Sequence, residues 1–440
     1  MTETFDYIVV GAGSAGCVLA NRLSADPRNR VLVLEAGGKD DWIWFHIPVG
    51  YLFSIGNPRA DWMYETQGVP GLDGRKLNYP RGKVIGGCSA INAMIYMRGQ
   101  AADYDGWRQL GLTGWGWDDV LPLFLAQEDH IDGAGDLHRA GGEWRVEHPR
   151  MRWVVLDAFA DAAALEGIPK VGDFNTGDNA GVGYFQVNQK AGLRWSAARG
   201  FLKPALRRAN LKLETGVHVT RVIIEDGRAV GVAWTRGGHA FEARTEGEVV
   251  LAAGAVNTPK LLELSGVGDG VRLSALGVDA LRHRPGVGEN LQDHLQIRPY
   301  YKVSGVPTLH PPRLAVAPAA DGRRVRALAA RADVHGPLAD GGLRPLVRRS
   351  GDRQPAVSHP APVAGPLRRT SACVRGDHHQ RLQPAAHQPG KRARRRSRSG
   401  GGSGDPAELP LDAAGRAGGG RVAAPGPADR RAAAAAALSS

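Results

Sequence analysis

The chain has 440 residues, 56 Lys+Arg against 44 Asp+Glu and a net charge of +12, an average that suits a soluble globular protein of one large or two ordinary domains. That average hides a break: residues 1–304 carry 33 basic and 35 acidic side chains, net −2, residues 305–440 carry 23 and 9, net +14, and all 28 aromatic residues lie at or before Tyr301. Three cysteines, Cys17, Cys88 and Cys373, exclude a disulfide framework, and neither a leader-like segment nor a run of about 18 apolar residues is visible, so the expected location is the cytoplasm.

The first predicted element is a strand, FDYIVV, which runs into Gly11, Gly13 and Gly16 and then into a helical pattern at Val18, Leu19 and Leu23. Gly11 permits a sharp turn, Gly13 lets the backbone approach a pyrophosphate, and Gly16 lets the helix pack close to the strand. Free amides at that helix N-terminus hold phosphates. A second strand, VLVLE, ends at Glu35, where a carboxylate accepts hydrogen bonds from a ribose hydroxyl pair. The acid argues against a 2′-phosphate and therefore against NADP, while the choice between NAD and FAD stays open on this motif alone.

A second glycine-rich loop follows at YPRGKVIGGCSAINAMIYMRG, residues 79–99, with Arg81, Lys83 and the Gly86-Gly87 turn. Its amides and small polar groups suit a diphosphate and a flavin ring. Further along, GEVVLAAGAVNTPKLLELSGVG, residues 247–268, reads as a buried strand, a turn at Gly254 and a helix ending near Ser265-Gly266. RPGVGENLQDHLQ, residues 284–296, comes after it.

These four stretches, in this order, resemble the glucose–methanol–choline (GMC) oxidoreductases, flavoenzymes that oxidise alcohols. The likeness runs from about residue 4 to about residue 304. It implies an α/β fold: a Rossmann-like FAD-binding domain assembled from about 1–100 and 210–300, substrate-side cap segments in 101–209 with helices near 154–166 and 196–208, and an incomplete substrate-binding domain. It also implies FAD as cofactor. Gly11, Gly13, Ser14, Ala15, Gly16, Glu35 and Ala36 would hold its ADP half, and Val219 would contact the adenine. Gly82, Val84 and Gly87 would lie over the ribityl-diphosphate, with Asn92, Ala93, Met94 and Ile95 bordering the isoalloxazine. Cys88 replaces the small hydroxyl residue common at its place and is expected to be structural.

HIPVGYLFSIGNPRADWMYET and GYFQVNQKAGLRWSAARGFLKPA look most like bacterial choline and alcohol dehydrogenases, which implies an alcohol substrate and a quinone-like acceptor, or oxygen in an oxidase. Trp62 and Tyr64 have a substrate-side reading and a plain core reading. Peripheral association with the inner membrane stays open, because the family reduces lipid-soluble quinones without a spanning helix.

The family removes the alcohol proton with a histidine in an HPxGT-like motif near the C-terminus. Only His148-Pro149 and His359-Pro360 have the following proline, and neither continues Gly-Thr, so no catalytic residue is assigned. His378, His379, His387 and Cys373 lack the apolar periodicity that would fix a metal geometry, and no metal is expected.

Residues 305–440 form a low-complexity basic tail with no Ile, Met or Asn and a single lysine, Lys391. Lacking large side chains, the tail is expected to be disordered. KRARRRS, from Lys391, with the following Arg398 and Ser399, would score as a nucleic-acid patch, and a flavin-binding protein with a basic nucleic-acid-binding tail is the alternative reading. The composition fits better a GC-rich gene read in a shifted frame from about codons 305–312. On that reading no specific nucleic acid is a partner, and the chain as written is inactive.

Overall fold

A computed structural model describes residues 3–294, 296–306 and 373–375. Its centre is a six-stranded sheet. Strand β1 (Glu3–Val10) lies between two parallel neighbours, β2 (Val31–Glu35) and the strand His239–Leu251, and Leu211–Thr215 extends the parallel set beyond β2. On the other side His239–Leu251 continues into an antiparallel ribbon made by Arg228–Arg236 and His218–Glu225.

The strand period of two sorts the core onto two faces. Val9, Val31 and Val33 pack with Cys17 and Ala20 of helix α1 (Ser14–Leu23) on one face. Ile8, Val10, Leu32 and Leu34 pack on the other against Val222 and Val232 of the ribbon and Leu261 of the helix Gly254–Leu264. All five residues of β2 are buried, as a parallel strand covered on both faces requires. The α/β architecture read from the sequence is the one observed.

The segment between β2 and Leu211–Thr215 carries short helices, among them Cys88–Ile91, Ala101–Gln109, Trp117–Gln127 and Val154–Leu165. The helix expected over 196–208 is not regular: a π-turn at Ala198–Leu202 gives way to a single turn at Lys203–Ala205. Pro204 has no N–H to return to the preceding turn, which widens the ladder there. Inside this segment lies a buried ionic cluster in which Arg98 donates to Glu128 at 2.8 Å, with Arg98 and Glu128 1% and 0% exposed.

Of the tail, the strand Cys373–Arg375 pairs antiparallel with Tyr300–Lys302. Three residues are too few for periodicity to reveal, and the sequence showed no strand there. The disorder expected of the tail, its basic run, His359, His378, His379 and His387 otherwise lie outside the described residues. No described helix is long and apolar enough to cross a membrane.

Candidate functional site

The site is built where three glycine-bearing turns meet at the C-terminal ends of the parallel strands. Gly11 leaves β1 at φ +102, and the Gly11 amide donates to the Leu34 carbonyl at 2.7 Å. Gly16 sits so close to this turn that a Cβ on it would lie 1.8 Å from the Gly11 oxygen. A Cβ on Gly13 would meet nothing nearer than the Ala252 oxygen at 3.9 Å, so its outer side is open space. Ser14 and Ala15, which open α1, are exposed. The helix N-terminus there has no side-chain cap and no acid in its first turn, which leaves its amides and the positive end of its dipole available to an anion.

The second glycine loop closes over the first. The Gly86 amide donates to the Ala12 carbonyl at 2.7 Å, and a Cβ on Gly87 would lie 2.7 Å from the Gly13 Cα. Gly82 is equally constrained, 2.3 Å from the Gly87 carbonyl carbon by the same measure, and the Gly82 amide donates to the Cys88 sulfur at 3.4 Å. Val84 is buried in the core beside β1 and β2.

Glu35 ends β2 with 6% exposure. Its carboxylate accepts the Ala12 amide at 2.7 Å and the Gly37 amide at 2.7 Å, so it ties the first glycine loop to the end of the second strand. Burial pushes its pKa up, against the two amides and the charge of Lys83, which pull it down. One acceptor position remains on each oxygen. Ala36, half-buried, follows directly.

Val219 reaches this end of the sheet because the Val217 amide donates to the Glu35 carbonyl at 3.0 Å. Its side chain, however, packs into the core with Phe5 and Ile8, so only its backbone is available to the site. Asn92, Ala93, Met94 and Ile95 leave the short helix Cys88–Ile91. Met94, at φ +60 and buried, turns the chain by accepting the Asn188 amide at 2.8 Å, and Ile95 bridges to Val187.

Trp62 and Tyr64 stack in parallel at 5.7 Å, and the Tyr64 hydroxyl donates to Asn257 at 2.7 Å. Trp62 also lies 6.2 Å from the His218 ring and carries Lys83 over its face at 4.7 Å. The pair therefore stands beside the Val219 strand, not beside Asn92. Burial lowers the His218 pKa, and Lys260 and Lys83 add to the effect.

Three contributors escaped the sequence reading. Gly37, whose Cβ would lie 2.1 Å from the Lys83 carbonyl carbon, was visible as one of two glycines after Glu35. His218 had only its neighbour Val219 to announce it. Arg194, fully buried behind Asn92, gave no signal at all. His148 lies away from this site, paired with Asp132 at 2.6 Å.

Known proteins resemble the chain over its first three hundred residues. A family model described as GMC oxidoreductase matches residues 5–296. Human mitochondrial choline dehydrogenase is 44% identical over 303 residues, covering 67% of this chain and 51% of that protein. Alcohol dehydrogenase [acceptor] of Pseudomonas putida is 44% identical over 297 residues, 67% of this chain and 54% of that one. Among solved structures, pyridoxine 4-oxidase from Mesorbium loti superposes with a TM-score of 0.65 at 36% identity, covering 68% of this chain and 60% of the other. The chain spans about half the length of the curated relatives it matches.

Proposed function

The chain belongs to the GMC oxidoreductases, a family of FAD-binding flavoenzymes, and from that membership we propose that residues 1–304 are the FAD-holding part of an alcohol dehydrogenase. The observation that carries the proposal is the open face of Gly13 at an uncapped helix N-terminus, ringed by Gly11, Gly82 and Gly87. Such a cradle accepts a diphosphate by backbone amides and leaves no room for side chains in its place.

Gly11, Gly13, Ser14, Ala15 and Gly16 hold the diphosphate side of the ADP half. Glu35 receives ribose hydroxyls at its two remaining acceptor positions, with Ala36 beside it. The Val219 backbone borders the adenine, where Trp62, His218 and Lys83 form a wall. Gly82, Val84 and Gly87 cover the ribityl-diphosphate, and Asn92, Ala93, Met94 and Ile95 border the ring. FAD, when bound, supplies the hydride acceptor for oxidation of a CH–OH group. The division into an FAD-binding part from about 1–100 and 210–300, with cap segments in 101–209, follows from the same reading.

Choline or another primary alcohol is the proposed substrate class of a full-length homologue, with a quinone-like acceptor. No histidine of the sequence stands in an HPxGT-like motif, so on this reading the chain binds FAD without turning over alcohols. A frame shift near codons 305–312 accounts for the basic tail, and no nucleic acid is a partner. Cytoplasmic location and peripheral membrane contact belong to the same proposal.

The test is titration of the purified full chain with FAD, NAD and NADP, followed by flavin fluorescence and by spectra after addition of choline. Saturable FAD binding with no bleaching is the expected result. Failure to take up FAD while retaining a folded far-UV spectrum refutes it.

A further inference from the structure

Among the described residues Arg194 is the largest side chain buried without exposure, and none of their carboxylates is paired with it. Its Nη1 donates to the Asn92 side-chain oxygen at 2.9 Å and to the Ser89 carbonyl at 3.2 Å, and its Nη2 to the Pro48 carbonyl at 3.3 Å. Its Nε makes no hydrogen bond among the described residues. Burial pulls its pKa down to about 9, opposed by Tyr51, which leaves the guanidinium charged at neutral pH. A desolvated cation held only by neutral oxygens is costly, and folds retain one where another group supplies the missing negative charge.

The amide it grips fixes the direction in which that charge is felt. Asn92 Oδ1 accepts from Arg194 and also from the Met94 amide at 3.0 Å, so both of its lone pairs are engaged. Two N–H donors converging on one atom settle which end is oxygen. The Asn92 amino group, on an exposed residue, is left with two donors and no partner among the described residues.

We infer that Arg194 is a positioning residue: through Asn92 Oδ1 it holds the Asn92 amino group outward as a donor to the polar rim of the flavin ring, and it lends that rim a buried positive charge. The inference rests on the FAD reading above. Electrons accepted at the ring bring negative charge toward the guanidinium, so the pair favours the reduced cofactor over the oxidised one.

A purely structural role, stapling Pro48 and Ser89 together, makes different predictions. Asn92→Asp keeps an acceptor for Arg194 and Met94, neutralises the guanidinium and removes the donor. Arg194→Met removes both charge and staples, whereas Arg194→Lys keeps the charge and loses most of the staples. The measurements are thermal melts of the FAD-free full chain, FAD affinity, and the midpoint potential of the bound flavin.

We expect Asn92→Asp to melt no lower than the parent, to bind FAD at least tenfold more weakly, and to lower the midpoint potential by about 30 mV or more, a tenfold loss of preference for the two-electron-reduced form. Arg194→Met lowers the potential likewise, and Arg194→Lys stays nearer the parent despite a lower melt. Parent-like affinity and potential in Asn92→Asp overturn the inference. So does an equal fall in potential for Arg194→Met and Arg194→Lys, which assigns the effect to lost packing. Should the parent take up no FAD, the FAD reading itself falls and takes this one with it; a parent that binds FAD beside an indifferent Asn92→Asp isolates the failure here.

Discussion

Gly16 and Gly11 are in van der Waals contact across the first turn of α1, and a Cβ on Gly16 would stand 1.8 Å from the Gly11 carbonyl oxygen. Backbone on both sides cannot yield as a flexible side chain would. Gly16→Ala is therefore expected to lower stability by about 3 kcal/mol, at the upper end of overpacking costs, and to abolish FAD binding. Gly13→Ala separates the two effects. Gly13 has extended backbone at φ −75 and open space outside it. Its melting curve should match that of the parent, while FAD affinity falls at least tenfold because the methyl group occupies the diphosphate's place. Equal FAD affinity for Gly13→Ala and parent would place the diphosphate elsewhere.

Glu35 joins the same loop to β2 through the Ala12 and Gly37 amides. In Glu35→Gln one of those two amides faces an NH2 group and loses its acceptor in a buried setting. The expected cost is about 1–3 kcal/mol in a urea melt. FAD binding weakens in addition, since a ribose acceptor is lost. A Glu35→Gln chain that binds FAD like the parent would remove the carboxylate from the ribose site.

The sheet, the glycine turns and Glu35 were legible because local constraints fix them. An apolar strand followed by glycines at set spacing leaves few backbone solutions, and the acid falls at the end of the next strand. What depends on long-range packing was not legible. Arg194 reads as an ordinary surface cation, because arginines are seldom fully buried, and only the folded chain shows two segments, at Pro48 and at Ser89–Asn92, closing on it. For Trp62 and Tyr64 the sequence left a substrate-side and a plain core reading side by side, and only the fold shows them packed together in a small core cluster, with Tyr64 drawn to Asn257, 193 residues away. Val219 was expected at the adenine; the fold brings its strand to the end of β2 at Glu35, and strand alternation turns its side chain inward.

Cysteine chemistry supplies an independent check on the cradle. Cys88 is exposed at the mouth of the second glycine loop, with its sulfur accepting the Gly82 amide. Cys17 is buried on the core-facing side of α1, and burial pushes its thiol well above the ordinary range. Brief alkylation near pH 8 followed by peptide mass spectrometry should modify Cys88 and spare Cys17. Prior saturation with FAD should slow labelling of Cys88 several-fold. Labelling that FAD leaves untouched would mean that the loop before Asn92 does not cover the cofactor.

The buried cluster around Glu128 makes stability depend on pH in a defined direction. His138 Nδ1 bonds to Glu128 at 3.0 Å and His138 Nε2 to Asp173 at 2.8 Å. Burial opposes the charged ring, but the two carboxylates outweigh it and raise its pKa to about 9. Burial likewise opposes ionisation of Glu128 and Asp173, and their hydrogen bonds outweigh it and hold both below the ordinary carboxylate range. Because the folded state binds the histidine proton more tightly than the unfolded chain does, this contribution is complete below about pH 6.5 and is lost as the pH rises through 9. The carboxylates contribute above their ordinary pKa values and lose that contribution in acid. Urea melts of the parent and of His138→Gln at pH 6.5 and pH 9 isolate the histidine, since groups common to both chains cancel. The parent should lose about 3 kcal/mol more than the variant over that interval. A parent and variant that respond identically would show that His138 is neutral between its two acids, and that Arg98 alone balances Glu128.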